Sequence, residues 1–145
     1  MATSIFVNLP VKNLSKTVEF FTKVGFSFNP QFTDENATCM VISETIFVML
    51  LVEKFFKTFI RKEICDTSRD AEAIIALSLE SREKVDQLMS KAIGAGGAEP
   101  RKAQDHGWMY GRNFQDIDEF YEELRELSAR RARDKQSEGQ VELPF

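Results

Sequence analysis

The stretch FVNLPVKNLSKTVEFFTKVGFSF, residues 6–28, decides the fold. Strand-forming residues fill Ser4–Leu9, and Pro10 is expected to end that strand, because proline holds the residue before it in an extended conformation. After the proline the pattern changes, and apolar residues recur at the spacing of one helix face. The sequence therefore predicts a short strand followed by an amphipathic helix.

The predicted helix has recognisable ends. Asn13 or Ser15 can cap its start, because a side-chain oxygen there accepts a hydrogen bond from a free N–H group of the first turn. Gly25 can adopt the left-handed conformation that ends a helix. Three strand-like stretches follow, FSFNPQF, ATCMVIS and TIFVMLLVE, separated by turn-forming residues. The first half of the chain is therefore expected to form a βαβββ module.

The same pattern starts again after residues 54–70, a segment of mixed pattern that we expect to be helix or loop. Ala73–Leu79 predicts a strand, Ser81 can cap a helix that reaches Ile93, and a glycine-rich turn closes it. The string HGWMYGRNFQD would supply the next strands. We therefore predict an α+β fold of two βαβββ-type modules, at about residues 1–53 and 72–118, as an internal duplication.

The C-terminal part has a different composition. From Glu119 the string EFYEELRELSARRARDKQ is full of helix-forming residues, with Phe120, Leu124 and Leu127 at helical spacing. Residues 119–145 are therefore expected to form a divergent helical extension and tail, outside a domain of residues 1–118. The polar last ten residues would be frayed or docked on a partner.

Composition limits the classes of function. The chain of 145 residues is 43% hydrophobic and 29% charged, which is typical of one soluble globular domain. Its formal charge of -4 argues against a nucleic-acid partner, and no stretch has the length and apolarity of a membrane span or the features of a signal peptide. Cys39 and Cys65 lack redox or zinc spacing and are expected to be buried, reduced thiols. These features favour a cytoplasmic protein.

The opening string resembles the first module of the glyoxalase/bleomycin-resistance/dioxygenase (vicinal oxygen chelate) superfamily. Residues 74–100, IIALSLESREKVDQLMSKAIGAGGAEP, are similar to the strand, helix and Gly-rich turn of the second module. Residues 109–118, MYGRNFQDID, are similar to that superfamily's GRxFxDPDG string. The resemblance covers about Ile5–Asp118. It implies two modules curled around an open cleft that holds a metal and a small substrate, commonly in a homodimer.

Carried over residue by residue, the superfamily's metal-ligand positions fall at Phe6, Met49, Ile74 and Glu123. The first three side chains cannot bind a hard divalent cation. One carboxylate does not make a site, because a catalytic metal centre needs about three protein ligands. We therefore expect no metal and no other cofactor.

A candidate ligand surface lies in the second module. Trp108, Tyr110 and Arg112 alternate along a predicted strand and would point to one face. Two aromatic rings and a guanidinium suit a flat or anionic organic molecule. The alternative is an aromatic sheet face packed under a helix, with Arg112 in an ion pair.

Four residues of the first module would line the cleft if the superfamily's topology holds. Phe6 and Asn8 share one face of a strand, and Phe47 and Met49 share another. Such a cleft would be apolar with few polar groups, and the Met49 thioether would give it a deformable wall. This composition favours binding over catalysis.

Other motifs support no catalytic chemistry. His106, the only histidine, stands beside Asp105 but without a nucleophile motif, and is expected to be a turn residue. The GAGG run at 94–97 follows a helix, so it is interpreted as a helix C-cap and not as a phosphate loop. The arginines at 130, 131 and 133 stand among acidic residues and are expected on a solvated helix face.

Three functions remain open. The favoured one is a metal-independent, homodimeric protein of the bleomycin-resistance type that holds a small organic ligand in an apolar cleft. The alternative is a metal-dependent lyase or dioxygenase of the same superfamily that uses Glu123 and ligands not identified by the resemblance. The third is a partner-binding protein that uses the charged C-terminal helix.

Overall fold

The computed structural model describes residues 3–127. The chain divides into two compact units, residues 1–70 and 71–145, and each contains one four-stranded mixed sheet. No helix in the described part of the chain is long and apolar enough to cross a membrane.

The first unit is a βαβββ module. Its strand order is β1-β4-β3-β2, with β1 parallel to β4 and the other pairs antiparallel. A short helix and a 3₁₀ turn (Lys57–Phe59) follow the last strand. The elements are β1 (Ile5–Val11), α1 (Leu14–Val24), β2 (Ser27–Asn29), β3 (Ala37–Val41), β4 (Ile46–Val52) and α2 (Glu53–Phe56).

The second unit repeats this topology. Its strand order is β5-β8-β7-β6, again with the first and last strands parallel. The predicted α+β class and the internal duplication are therefore confirmed. The elements are β5 (Ile74–Ser78), α3 (Arg82–Gly94), β6 (Gln104–Asp105), β7 (Met109–Gln115) and β8 (Tyr121–Leu127).

The helix ends follow the predicted capping chemistry. The Asn13 side chain accepts a hydrogen bond from the Lys16 N–H at 3.1 Å, and the Ser81 hydroxyl accepts one from Lys84 at the same distance. Gly25 ends α1 with φ 117°, a conformation that costs glycine little. The local sequence alone thus determines where both long helices begin and where α1 stops.

Each helix covers one face of its own sheet. In the first unit α1 packs on β4 and buries Phe20 and Phe21, while Val48 and Leu50 of β4 are 3% and 1% exposed. In the second unit α3 packs on β7 and β8. Its Val85, Met89 and Ala92 are fully buried, as are Phe114 of β7 and Leu124 of β8.

Two details of the first unit differ from expectation. β1 runs through Pro10 to Val11, although Pro10 was predicted to end it. Because β1 is an edge strand, the position without an N–H group can face away from the sheet. Both cysteines are free, as expected, but only Cys39 is buried; Cys65 is exposed.

The predicted C-terminal helix is wrong over Tyr121–Leu127, which form β8. This strand lies between β5 and β7 and has hydrogen-bonding neighbours on both sides. Non-local pairing therefore overrides the helix propensity of its Glu, Leu and Arg residues. The predicted tail and the arginines at 130, 131 and 133 lie outside the described residues.

The turn between β7 and β8 is built on Asp116. Its Oδ1 accepts the backbone N–H groups of Asp118 at 2.9 Å and Phe120 at 3.1 Å. Glu119 adopts φ 64°, the left-handed region, at the position where the GRxFxDPDG string has glycine. For a residue other than glycine this conformation costs about 1–2 kcal/mol.

The same turn contains a buried pair of carboxyl groups. Asp116 and Glu122 are 5% and 6% exposed, and Glu122 Oε2 has no hydrogen-bond partner. Burial raises the pKa of Asp116 to about 6. Burial and the nearby Asp116 carboxylate raise the pKa of Glu122 well above its usual range. Protonated Glu122 therefore donates its hydrogen bond to Asp116.

The strained turn gives a first prediction. Replacing Glu119→Gly should raise the free energy of unfolding by about 0.5–1 kcal/mol, since strain relief exceeds the entropy that glycine adds to the unfolded chain. Urea denaturation measures the change. Glu44→Gly, in an exposed turn without positive φ, is the matched control and should be neutral or destabilising. Equal effects of the two substitutions would contradict the strain argument.

The carboxyl pair gives a second prediction. Native Asp116 keeps its proton up to about pH 6, whereas its usual pKa is 3.8, so its contribution to stability falls as pH rises between these values. This difference corresponds to about 3 kcal/mol. The pKa of Glu122 is also raised, so its contribution to the free energy of unfolding likewise falls as pH rises. Glu122→Gln retains a hydrogen-bond donor without a titratable group, so the loss of stability from pH 5 to pH 8 should be smaller in the variant than in wild type.

Urea unfolding of wild type and variant at both pH values tests this prediction. The exposed Glu35 provides the control, and Glu35→Gln should leave the pH dependence of stability unchanged. A Glu122→Gln protein with the wild-type pH dependence would show that the buried pair does not control it.

Candidate functional site

One candidate site is the face of the first sheet that α1 leaves uncovered. In the parallel pairing of β1 with β4, Phe6 lies opposite Phe47 and Asn8 lies opposite Met49. Residues directly opposite one another point to the same side of a sheet. The structure therefore brings together on one face the four residues that the sequence placed on two.

The centre of this face is an aromatic pair. The rings of Phe6 and Phe47 are stacked, with centroids 4.7 Å apart and an interplanar angle of 15°. Phe6 is 50% exposed, and Phe47 and Met49 are half-buried, whereas the intervening Val48 is buried beneath α1. We name Phe6, Asn8, Phe47 and Met49 the open aromatic face. Phe6 and Asn8 are exposed and Phe47 and Met49 are partly exposed, so this part of the face offers apolar surface to a ligand.

Asn8 and Cys39 supply polar atoms beside the aromatic pair. Asn8 is exposed, and its Nδ2 donates to the Phe6 carbonyl at 3.1 Å, which leaves the amide oxygen available to a ligand. Cys39 of β3 lies opposite Met49 and is 1% exposed. Burial raises the pKa of the Cys39 thiol, so it is a neutral apolar neighbour and not a nucleophile. No pattern in the sequence indicated that Cys39 borders this face.

The positions of the superfamily's metal ligands can now be located on the sheets. Phe6 and Met49 stand on the open aromatic face. Ile74, 59% exposed, is on β5, and Glu123 pairs with Ala76 of β5 and Asn113 of β7.

A metal does not fit these positions. Phe6, Met49 and Ile74 carry no oxygen or nitrogen donor. Among the residues whose side chains the structure describes, which do not include Glu123, no three His, Cys, Asp or Glu are grouped so as to hold a metal ion. Three of the four positions therefore lack a metal donor.

Tyr110 and Arg112 lie on the face of the second sheet that α3 covers. The Tyr110 hydroxyl donates to Asp86 Oδ1 on α3 at 2.7 Å, and Arg112 Nη1 donates to the same oxygen at 3.0 Å. This is the arrangement considered as the alternative, with Arg112 in an ion pair beneath a helix. Trp108 precedes β7 and is 9% exposed, 6.4 Å from the His106 ring.

Arg112 is held by two carboxylates. Its Nε and Nη2 donate to the two oxygens of Glu99 at 2.9 and 2.8 Å, in addition to the bond to Asp86. The bonds to Glu99 chiefly raise the pKa of Arg112, and the bond from Tyr110 chiefly lowers the pKa of Asp86. The guanidinium is thus charged and fixed in one orientation.

A cavity of about 390 Å³ lies beside this ion-pair network. Tyr110 and Arg112 line it, together with the loop of residues 99–103, but Trp108 does not. Of the three residues predicted to form a ligand surface in the second module, two therefore border a cavity and the third is buried.

The remaining motifs have structural roles. His106 is exposed, and Asp105 forms a two-pronged ion pair with Arg82, at 2.6 and 2.8 Å, that lowers the pKa of Asp105. The GAGG run closes α3, as predicted, through the hydrogen bond from the Gly97 N–H to the Ala92 carbonyl at 2.9 Å.

Comparison with known proteins gives a family-model match to the first part of the chain and structural matches to most of it. The family model described as bleomycin resistance protein-like N-terminal matches residues 3–43. A hypothetical protein from S. aureus has 29% identity and a TM-score of 0.72, over 86% of this chain and 94% of that one. Comparison with curated proteins gives no significant match.

Two more distant solved structures share the fold. A glyoxalase/bleomycin resistance protein/dioxygenase family enzyme from Burkholderia phytofirmans PsJN has 14% identity and a TM-score of 0.71, covering 87% of this chain and 99% of its own. A fosfomycin resistance protein from Listeria monocytogenes has 17% identity and a TM-score of 0.62, covering 87% and 93%. The chain therefore has the fold of the glyoxalase/bleomycin resistance/dioxygenase superfamily, which confirms the resemblance predicted from its sequence.

Proposed function

We propose that this protein binds a small, largely apolar organic molecule on the open aromatic face, without a metal ion, in the manner of a bleomycin-resistance-type binding protein. The observation that carries the proposal is the stacked, half-exposed Phe6–Phe47 pair. It stands beside Met49 at positions where the superfamily resemblance implies metal ligands.

The energetics of the open aromatic face favour a ligand with a flat ring. An aromatic anchor at a binding surface contributes about 2 kcal/mol or more. The polarizable Met49 thioether adapts to ligand shape, and the Asn8 amide oxygen offers one acceptor that can orient a donor group of the ligand. Apolar area with a single orienting polar group is typical of a binding site that holds its ligand unchanged.

Metal-dependent lyase or dioxygenase chemistry is the competing function. It would require Glu123 together with donors that do not stand at the other three positions. Elemental analysis of purified protein separates the two functions. We expect no stoichiometric transition metal, whereas about one Ni, Zn or Fe ion per chain, lost in Glu123→Ala, would establish the metal-dependent alternative.

The proposal includes a cytoplasmic homodimer. The edge strand β5 carries Ile74, which is 59% exposed. Apolar side chains on edge strands are a liability that association with a second copy would remove. Light scattering should therefore give the mass of a dimer at micromolar concentration, and the mass of a monomer would contradict this part of the proposal.

The ligand site gives a further prediction. The neutral fluorescent probe N-phenyl-1-naphthylamine should bind metal-free protein, and Phe6→Ala should weaken binding about tenfold, because one ring of the aromatic pair is lost. Ile5→Ala is the matched control: Ile5 is the preceding residue of β1, has nearly the same exposure and points to the other face. Fluorescence titration measures both affinities.

The control variant should bind the probe as wild type does. Equal losses in Phe6→Ala and Ile5→Ala, or binding that appears only after Zn²⁺ or Ni²⁺ is added, would refute metal-independent binding at the open aromatic face.

A further inference from the structure

The second unit contains a separate site on its helix-covered side. We propose that the loop of residues 99–103, with Tyr110 and Arg112, binds the phosphate or carboxylate group of a small organic anion. The proposal rests on the cavity of about 390 Å³, largely open to solvent, that these residues line.

The loop is held on both sides by ion pairs. Arg112 donates two hydrogen bonds to the Glu99 carboxylate, at 2.9 and 2.8 Å. Just beyond the loop, Arg82 donates two hydrogen bonds to the Asp105 carboxylate, at 2.6 and 2.8 Å. Bidentate ion pairs of this kind fix the orientation of the two side chains as well as the distance between them. The loop between them is therefore presented in a defined position.

Two cations stand unpaired between these anchors. Arg101 and Lys102 are exposed and line the cavity, and neither makes an ion pair with another described residue. Every other cation of this region has a carboxylate partner: Arg82 has Asp105, and Arg112 has Glu99 and Asp86. Arg101 and Lys102 thus leave a positive charge at the cavity that no neighbour neutralises.

The balance of charge in the cavity favours an anion. Its lining contains three cationic side chains and a single anionic one, Glu99, which is already engaged by Arg112. The whole chain, by contrast, has a formal charge of -4. A local excess of positive charge within an acidic protein attracts anions selectively to that position.

Tyr110 supplies the apolar part of the site. Its hydroxyl is bound to Asp86, and the Arg82 guanidinium lies over its ring, 5.0 Å from the centroid. These contacts fix the ring at the wall of the cavity, beside Pro100. The site therefore suits an anionic group next to an apolar or aromatic portion, as in an aryl phosphate or an aromatic carboxylate.

Phenyl phosphate and benzoate are the probes for this site, with phenol as the neutral comparison. Each is titrated into the full-length ¹⁵N-labelled protein while amide shifts are recorded. We expect saturable shifts at Lys102, Ala103 and Tyr110 with at least one anion, and none with phenol. No saturable shift with either anion, or equal binding of phenol, would overturn the proposal.

Charge-removing variants test whether Arg101 and Lys102 bind the anion. Arg101→Gln with Lys102→Gln should weaken anion binding about tenfold or more, because charge-assisted hydrogen bonds are lost. Arg61→Gln with Lys54→Gln removes the same charges from exposed positions of the first unit and should change affinity less than twofold. Equal losses in both double variants would indicate general electrostatic attraction and would refute a site at this loop.

The site is independent of the open aromatic face. Phe6→Ala should leave binding of phenyl phosphate and benzoate unchanged, because Phe6 belongs to the other unit. Loss of anion binding in Phe6→Ala would contradict a second site.

Discussion

The structure depends on a simple constraint: each module has one long helix, and one helix covers only one face of a four-stranded sheet. In the first module α1 buries the face that contains Val48 and Leu50. The alternate residues of the same strands point to the other face, where Phe6 and Phe47 remain partly exposed. Apolar area removed from water contributes about 25 cal/mol per Å². A molecule that covers the partly exposed Phe6–Phe47 pair therefore gains binding free energy by removing apolar area from water.

The two modules repeat one topology, but their sheets carry different kinds of side chain. β1 and β4 of the first sheet carry apolar residues, Phe6 and Met49, at the positions where the resemblance implies metal ligands. β7 of the second sheet directs Tyr110 and Arg112 toward its helix, where a network of ion pairs holds them. The chain thus combines an apolar surface in one module with a charged, rigid surface in the other.

Features decided by neighbouring residues could be predicted from the sequence. The Asn13 and Ser81 caps and the Gly25 stop follow from local chemistry. Features decided by distant pairing could not. The strand β8 has the composition of a helix, and only its position between β5 and β7 makes it a strand. Alternation placed Tyr110 and Arg112 on one face but gave no information on which face α3 covers.

The central claim, metal-free binding at the open aromatic face, is tested most directly by the methyl NMR signals of the five methionines. Met49 borders the aromatic pair, whereas Met40 and Met89 are buried, at 4% and 0% exposure. Titration of N-phenyl-1-naphthylamine into chelator-treated, ¹³C-methyl-Met protein should shift the Met49 signal saturably and leave those of Met40 and Met89 nearly in place. A Met49 signal that does not respond, or that responds only after a divalent metal is added, would contradict the account.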